Sequence, residues 1–79
     1  MPVSAYVLIN TTMGQAAEVA KAISEINGVK KVECVTGQID IIAFVESENI
    51  NDLGKVVANQ IQKIPGIIGT ITCPVVELG

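Results

Sequence analysis

Two similar segments of the sequence, Ile26-Asn27-Gly28-Val29 and Ile64-Pro65-Gly66-Ile67, lie 38 residues apart. Each follows a stretch whose apolar residues recur at the three- and four-residue spacing of a helix, and each leads into a strand-like run. Glycine at the end of such a stretch is the residue that most readily takes the left-handed conformation that ends a helix. Because a strand-like run also precedes each helical stretch, the chain is predicted to contain two copies of a strand–helix–strand unit.

The predicted elements follow the order βαββαβ. We expect strands at residues 3–10, 29–36, 40–45 and 67–76, with one helix from Thr12 to about Asn27 and a second from Asn49 to about Ile64. Thr12 and Gln15 have the spacing of a capping box, and asparagine is a favoured N-cap residue at position 49. Both helices carry their apolar residues on one side, so each is expected to pack against a sheet.

Two interleaved right-handed βαβ crossovers give a ferredoxin-like sandwich, a single α+β domain over residues 1–79. Its four-stranded antiparallel sheet has the strand order 4-1-3-2. The first and third strands, which are apolar on both faces, are then central. The second carries Lys31 and Glu33, and the fourth carries Pro74; charged residues and proline are typical of edge strands.

The helices cover only one face of such a sheet, yet the central strands are apolar on both. One face would carry Tyr6, Leu8, Ile42 and Phe44, and the other Ala5, Val7, Ile41 and Ala43. An exposed apolar patch of that size is unusual on a monomer, and a domain this small buries only about 60% of the surface of its unfolded chain. The sequence therefore predicts that two sheets pack face to face in a dimer, forming a dimeric α+β barrel.

The charge composition argues against several classes of function. The sequence has eight carboxylate side chains and five lysines, and its formal net charge is −3. It contains no arginine and no histidine. Nucleic-acid binding requires a basic surface, and histidine is the commonest general base and metal ligand. We therefore expect no direct binding of nucleic acid, no catalytic residues, no metal and no cofactor. No apolar run reaches the roughly 20 residues of a membrane span, and no signal-peptide pattern is present, so a cytoplasmic protein without a membrane partner is expected.

The two cysteines, Cys34 and Cys73, fall on opposite edge strands of the predicted sheet. They are too far apart there for a disulfide within one chain, and neither belongs to a CxxC motif. We interpret both as buried small apolar residues. A disulfide between subunits stays open.

The segment between the second and third strands is the best candidate for a binding site. Thr36, Gly37 and Gln38 form a polar turn, and Asp40 is followed by an uncharged strand. Backbone N–H groups of such a turn can hold a carboxylate, and Asp40 can receive an ammonium group in a charge-assisted hydrogen bond. The alternative is an ordinary β-turn with its glycine and an aspartate that caps backbone groups. The residues alone favour that alternative.

The order of these motifs resembles the ligand-binding domain of the Lrp/AsnC (feast/famine) transcription regulators. The residues that carry the resemblance are Asn27-Gly28-Val29, the segment Val35-Thr36-Gly37-Gln38-Ile39-Asp40, and Pro65-Gly66-Ile67-Ile68-Gly69-Thr70-Ile71-Thr72. The full-length regulators begin with a helix-turn-helix domain, and nothing precedes the first strand here. A stand-alone form of the domain is therefore expected. Many relatives have an aromatic residue where this chain has Ile39, which leaves the identity of the ligand open.

The resemblance implies a site and an assembly. Such domains pair through their sheets and assemble into rings, commonly of four dimers, and they bind amino acids or related small molecules between dimers. The implied ligand-binding residues are Thr36, Gly37, Gln38, Asp40, Thr70, Thr72 and Cys73. The leading hypothesis is an oligomeric amino-acid-binding domain linked to transcriptional or metabolic regulation. The alternative is an interaction module that co-assembles with a full-length Lrp/AsnC regulator and modulates it without binding a ligand.

Overall fold

The computed structural model describes residues 2–78, and the predicted order βαββαβ is confirmed. The strands are β1 (Val3–Thr11), β2 (Val29–Cys34), β3 (Ile41–Ser47) and β4 (Ile67–Pro74), and the helices are α1 (Ala16–Ser24) and α2 (Ile50–Val56). A π-helical segment, Val57–Ile61, continues α2. All strand neighbours are antiparallel and the sheet order is β2-β3-β1-β4, so the α+β ferredoxin-like arrangement and the two edge strands are as predicted.

The core lies between the helices and one face of the sheet. Its buried residues come from the alternate positions of β1 and β3 and from one side of each helix: Ala5, Val7, Ile9, Val19, Ile23, Ile41, Ala43, Val45, Leu53, Val57 and Ile61. The alternation of strand side chains and the helical spacing thus select a single buried layer.

The opposite face of the sheet carries no helix. Tyr6 is 48% exposed and Ile71 is 57% exposed there. The rings of Tyr6 and Phe44, which lie on neighbouring strands, have centroids 4.9 Å apart. The sequence prediction that a second apolar surface remains outside the helices is therefore confirmed for the single chain.

The helix termini agree with the sequence in part. Gly28 and Gly66, the two predicted stops, have φ values of 100° and 101°. Asn49 is the N-cap of α2, since its Oδ1 accepts a hydrogen bond of 2.8 Å from the Asp52 amide. The second helix departs from prediction because its last turns are π-helical, with the Gln62 amide donating to the Val57 carbonyl at 2.9 Å.

The predicted capping box at the start of α1 is wrong. The helix begins at Ala16, and no side chain caps it. Thr12 instead donates through its amide and its hydroxyl to the carbonyl of Gly66, at 2.7 and 3.2 Å. The helix also ends earlier than predicted, at Ser24. The Thr12 side chain, which the local sequence predicts to cap α1, thus bonds instead to the residue before β4.

The prediction that both cysteines are buried is also wrong. Cys34 and Cys73 are free thiols and both are exposed. Each lies on an edge strand, where only one side has a neighbouring strand to cover it. Within residues 2–78, no helix is both long and apolar enough to cross a membrane.

Candidate functional site

The turn between β2 and β3 is closed by backbone hydrogen bonds at its base. The Val35 amide donates to the Asp40 carbonyl at 2.8 Å, and the Asp40 amide donates to the Ile9 carbonyl of β1 at 3.1 Å. Thr36, Gly37 and Gln38 project beyond this base and are exposed. The turn is therefore fixed to the central strand β1 as well as to its own two strands.

The carboxylate of Asp40 joins the turn to the end of β1. Its Oδ2 accepts from the Thr11 amide at 2.8 Å and from the Thr11 hydroxyl at 3.3 Å. Thr11 is only 8% exposed, so its amide needs this partner. Within the described residues, Asp40 Oδ1 accepts no hydrogen bond. Asp40 thus has a structural role through one oxygen and leaves the other available.

Gly37 has a φ of 110°, a conformation that side chains with a Cβ rarely adopt. No atom lies within 4 Å of the position that a Cβ would occupy. The backbone conformation, rather than close packing inside the chain, therefore explains the glycine. Across residues 2–78, the amides of Gly37, Gln38 and Ile39 donate no hydrogen bond, so three backbone donors of the turn are without a partner in the chain.

The predicted residues of β4 do not form one group. Thr70 pairs with Ile9 and Thr72 with Val7, which places both hydroxyls on the face that the helices cover. Cys73 pairs with Tyr6 and lies on the opposite face. Thr70 and the turn lie at the same end of the sheet, on either side of Ile9, whereas Thr72 and Cys73 lie farther along β4.

Gln62 and Thr11 are neighbours of these residues that sequence reasoning did not select. The side-chain amide Nε2 of Gln62 donates to the Thr70 hydroxyl at 2.8 Å. Gln62 falls on the polar side of a regular helix over this part of the sequence, and the π-helical segment before it, Val57–Ile61, has no distinctive sequence pattern. Thr11 follows the predicted first strand directly, and no local pattern indicates its bond to Asp40, which lies 29 residues away in the chain.

The described residues offer no metal centre, since they contain no group of three histidine, cysteine, aspartate or glutamate side chains placed to hold an ion. Around the turn, the polar groups without a hydrogen-bond partner in residues 2–78 are Asp40 Oδ1, the amides of Gly37, Gln38 and Ile39, and the hydroxyl of Thr36.

The sequence profile of the Lrp/AsnC ligand binding domain matches residues 4–78. The chain belongs to this family. Its members' domain is a regulatory ligand-binding unit, and the ferredoxin-like fold described above is the fold of the family's solved structures.

Individual relatives agree with this assignment. An uncharacterised helix-turn-helix-type transcriptional regulator of Pyrococcus furiosus is 38% identical over 55 residues, which is 70% of this chain and 37% of that protein. The chain thus matches little more than a third of the regulator's length. A protein of Thermus thermophilus superposes with a TM-score of 0.91 at 28% identity, covering 98% of this chain and 96% of that one.

A transcriptional regulator of Neisseria meningitidis, solved as a complex with L-Met, superposes with a TM-score of 0.84. It is 16% identical, and the superposition covers 95% of this chain and 50% of that protein. At this identity the similarity concerns the fold alone.

Proposed function

We propose that this chain is an oligomeric domain that binds an amino acid at the turn of residues 36–40, and that this binding is linked to transcriptional or metabolic regulation. The observation that carries the proposal is the arrangement at Asp40. Oδ2 is held by Thr11, while Oδ1 and the amides of the turn have no partner in the described chain. A ligand's ammonium group suits the carboxylate, and its carboxylate suits the amides.

The site is incomplete within one chain. Thr36, Gly37 and Gln38 are exposed, so nothing on this subunit encloses a ligand's side chain. We propose that another subunit supplies the missing wall, as in the family's assemblies of dimers. Of the β4 candidates, Thr70 lies nearest to the turn, and its hydroxyl accepts a hydrogen bond from Gln62. Thr72 and Cys73 belong to the site only if a ligand held by a neighbouring subunit contacts them.

Several observations support this function over catalysis or DNA binding by the domain itself. The family is one of regulatory ligand-binding domains, and the Neisseria regulator of the same fold was solved with an amino acid. The chain has neither histidine nor arginine and a net charge of −3. A nucleic-acid surface would need the opposite charge.

A thermal-shift screen with the common amino acids tests the ligand proposal. A ligand present at 100 times its dissociation constant stabilises the folded state by about 2.7 kcal/mol, which raises the melting temperature by several degrees. The N-acetyl derivative and the amide of the active amino acid serve as matched controls. Each lacks one of the two charges, and we expect each to lose most of the shift.

If no amino acid shifts the melting temperature, the ligand proposal is wrong. The interaction-module alternative then predicts mixed oligomers with a helix-turn-helix regulator of the same family. Native mass spectrometry of the two co-expressed proteins would detect such oligomers directly.

We further propose that two chains pair through the sheet faces that carry no helix. Replacing Ile71 by glutamate should dissociate the pair, because it places a charge in the apolar surface that the partner would cover. Ile50, 55% exposed against 57% for Ile71, lies in the first turn of α2 and provides the control Ile50→Glu. Light scattering at micromolar concentration should give the dimer mass or larger for Ile50→Glu and a smaller mass for Ile71→Glu. Equal masses for the two variants, or a monomeric wild-type chain, would contradict the pairing.

A further inference from the structure

The two edge strands of the sheet, β2 and β4, differ in charge. Within the described residues, each has a neighbouring strand on one side only. The β2 edge carries Lys30, Lys31 and Glu33, and charged side chains on an edge strand hinder its pairing with another chain. Residues 64–76, which include all of β4, carry no charge, and Ile71 is 57% exposed. The β4 edge therefore lacks the protection that the β2 edge has.

The hydrogen bond that follows β4 shows which backbone groups of the strand face outward. The Val75 amide donates to the Ser4 carbonyl, next to β1, at 2.9 Å. Successive residues of an antiparallel strand direct their amide and carbonyl to alternate sides. Every second residue before Val75 therefore also faces β1, whereas the amides and carbonyls of Thr70 and Thr72 face away from the sheet. Each of these two threonines thus has a backbone donor and acceptor that no strand of residues 2–78 pairs with.

Two features limit the part of this edge that can pair regularly. Ile68 has no partner in β1, because the register between the two strands shifts at this residue. At the other end, Pro74 has no backbone amide to donate. The regular stretch is therefore residues 69–73, and its midpoint is Ile71.

We propose that two copies of this chain pair antiparallel through their β4 edges, with Ile71 opposite Ile71 of the other copy. Thr70 of each chain then lies opposite Thr72 of the other, and each such pair exchanges both backbone hydrogen bonds. The facing threonine side chains form a favourable cross-strand pair, and the uncharged stretch brings no like charges together. A second copy is the partner that fits, because this one symmetric register uses the free donors and acceptors of both threonines on both chains.

This edge contact goes beyond the proposed pairing of sheet faces, and it needs no bound amino acid. Sheets that pack face to face lie about 10 Å apart and meet through side chains, so the outward backbone groups of β4 stay unpaired in a face contact. A chain with two different two-fold contacts assembles beyond a dimer. The edge contact also places Thr70 of one subunit beside Thr72 of the next, although the two lie apart from each other's backbone partners in a single chain.

Disulfide formation between introduced cysteines, with glutathione disulfide as the oxidant, tests the register. In a chain that carries Cys34→Ser and Cys73→Ser, Ile71→Cys should convert mostly to a covalent dimer. Directly opposite residues that exchange no hydrogen bonds have Cα atoms about 4.5 Å apart, which is within disulfide range. Gly69→Cys in the same background is the matched control. Four residues of strand, about 13 Å, separate position 69 from its own copy, so this variant should stay uncrosslinked.

The native Cys73 provides a second check of the same register, since it lies opposite position 69 of the other copy. In a chain with Cys34→Ser alone, Cys73 should not bridge to its copy. Adding Gly69→Cys to that chain should give the covalent dimer, and no atom lies within 4 Å of the position that the new Cβ would occupy. Ile71 belongs to the helix-free face as well as to the edge, so these disulfides, rather than the oligomer mass, distinguish the two contacts. Sheets about 10 Å apart are too distant for any of them.

Hydrogen exchange of the wild-type chain supplies a test that needs no variant to fold. The Val35 amide donates to Asp40, so by the same alternation the Cys34 amide faces away from the sheet at the β2 edge. Relative to their intrinsic rates, the amides of Thr70 and Thr72 should exchange at least about tenfold more slowly than that of Cys34. This protection should decrease when the protein is diluted.

The outcomes are independent of the amino-acid screen, because the edge contact involves no ligand. Fast exchange of the Thr70 and Thr72 amides would overturn the pairing of two copies and leave the edge to a strand of another protein. An Ile71→Cys chain that crosslinks no more than the Gly69→Cys control would overturn the register. A failed amino-acid screen together with the expected disulfides would overturn the ligand proposal and leave the edge contact intact.

Discussion

Replacing Gly66 by alanine should lower the free energy of unfolding by about 2–4 kcal/mol. Gly66 has a φ of 101°, which is strained for any residue with a Cβ. The added methyl would also lie 3.0 Å from Val19 Cγ2 and 3.3 Å from Gln15 Cβ. Val19 is 1% exposed in the core, so it has little room to move away. Urea denaturation at a fixed protein concentration measures the change, and the melting temperature should fall by roughly 10–25 °C.

Gly54→Ala is the matched control for this prediction. Gly54 lies in α2, is exposed, and has no atom within 4 Å of the position of a Cβ. Alanine there should raise the free energy of unfolding by about 0.5–1 kcal/mol, because glycine weakens a helix interior. Glycine to alanine is thus expected to lower the free energy of unfolding at position 66 and to raise it at position 54. Similar effects at both would show that Gly66 tolerates a side chain and that its conformation is not required.

Gly66 has consequences for the candidate site as well. Its carbonyl receives both hydrogen bonds from Thr12, immediately after β1 ends. The preceding residue, Thr11, holds Asp40. The end of β1 therefore ties the start of β4 to the turn, so a displaced Gly66 is expected to loosen the site that the turn belongs to.

The sequence was sufficient for features that depend on periodicity and on local backbone chemistry. The helix stops at Gly28 and Gly66, the Asn49 cap and the central position of β1 and β3 all follow from patterns within a few residues. These signals are strong because each one is repeated or agrees with its neighbours. The strand order followed from the same patterns together with the rule of right-handed crossovers.

The failures have a different physical origin. Thr12 has the sequence of a cap, but a carbonyl 54 residues away binds its hydroxyl. The cysteines looked like core residues, yet their strands are the sheet edges. Gln62 bonds to Thr70 from the end of a π-helical segment, and no local sequence pattern predicts that segment. In each case a tertiary contact, or the position of the strand in the sheet, decides the outcome, and neither can be read from the local sequence.

The candidate site shows the same limit. The turn was predictable because threonine, glycine, glutamine and aspartate lie close together between two strands. The hydrogen bond from Thr11 to one oxygen of Asp40 could not be predicted, because the two residues come together only in the folded sheet. The sequence presents a structural role and ligand binding as alternatives for Asp40. The structure assigns the structural role to Oδ2, and the proposed ligand contact involves the other oxygen of the same carboxylate.

Replacing Asp40 by alanine should lower the free energy of unfolding by about 1.5–3 kcal/mol, because the buried Thr11 amide loses a charged acceptor. Thr11→Val removes only the longer, 3.3 Å hydroxyl contact and should cost less than about 1 kcal/mol. In the alanine background, Thr11→Val should be neutral or stabilising, since the hydroxyl has already lost its partner. A double-mutant cycle by urea denaturation measures this coupling. Asp52→Ala, at an exposed carboxylate bonded to Asn49, is the control and should cost less than about 1 kcal/mol.

Asp40→Asn separates the two roles of the residue. The amide oxygen still accepts from the Thr11 amide, so stability should fall by only about 0.5–1.5 kcal/mol. The charge that attracts a ligand's ammonium group is lost, and a charge-assisted hydrogen bond is about twice as strong as a neutral one. We therefore expect a folded variant whose thermal shift with the active amino acid is abolished or strongly reduced. A folded Asp40→Asn protein that keeps the full shift would show that Asp40 only holds the end of β1 and that the ligand binds elsewhere.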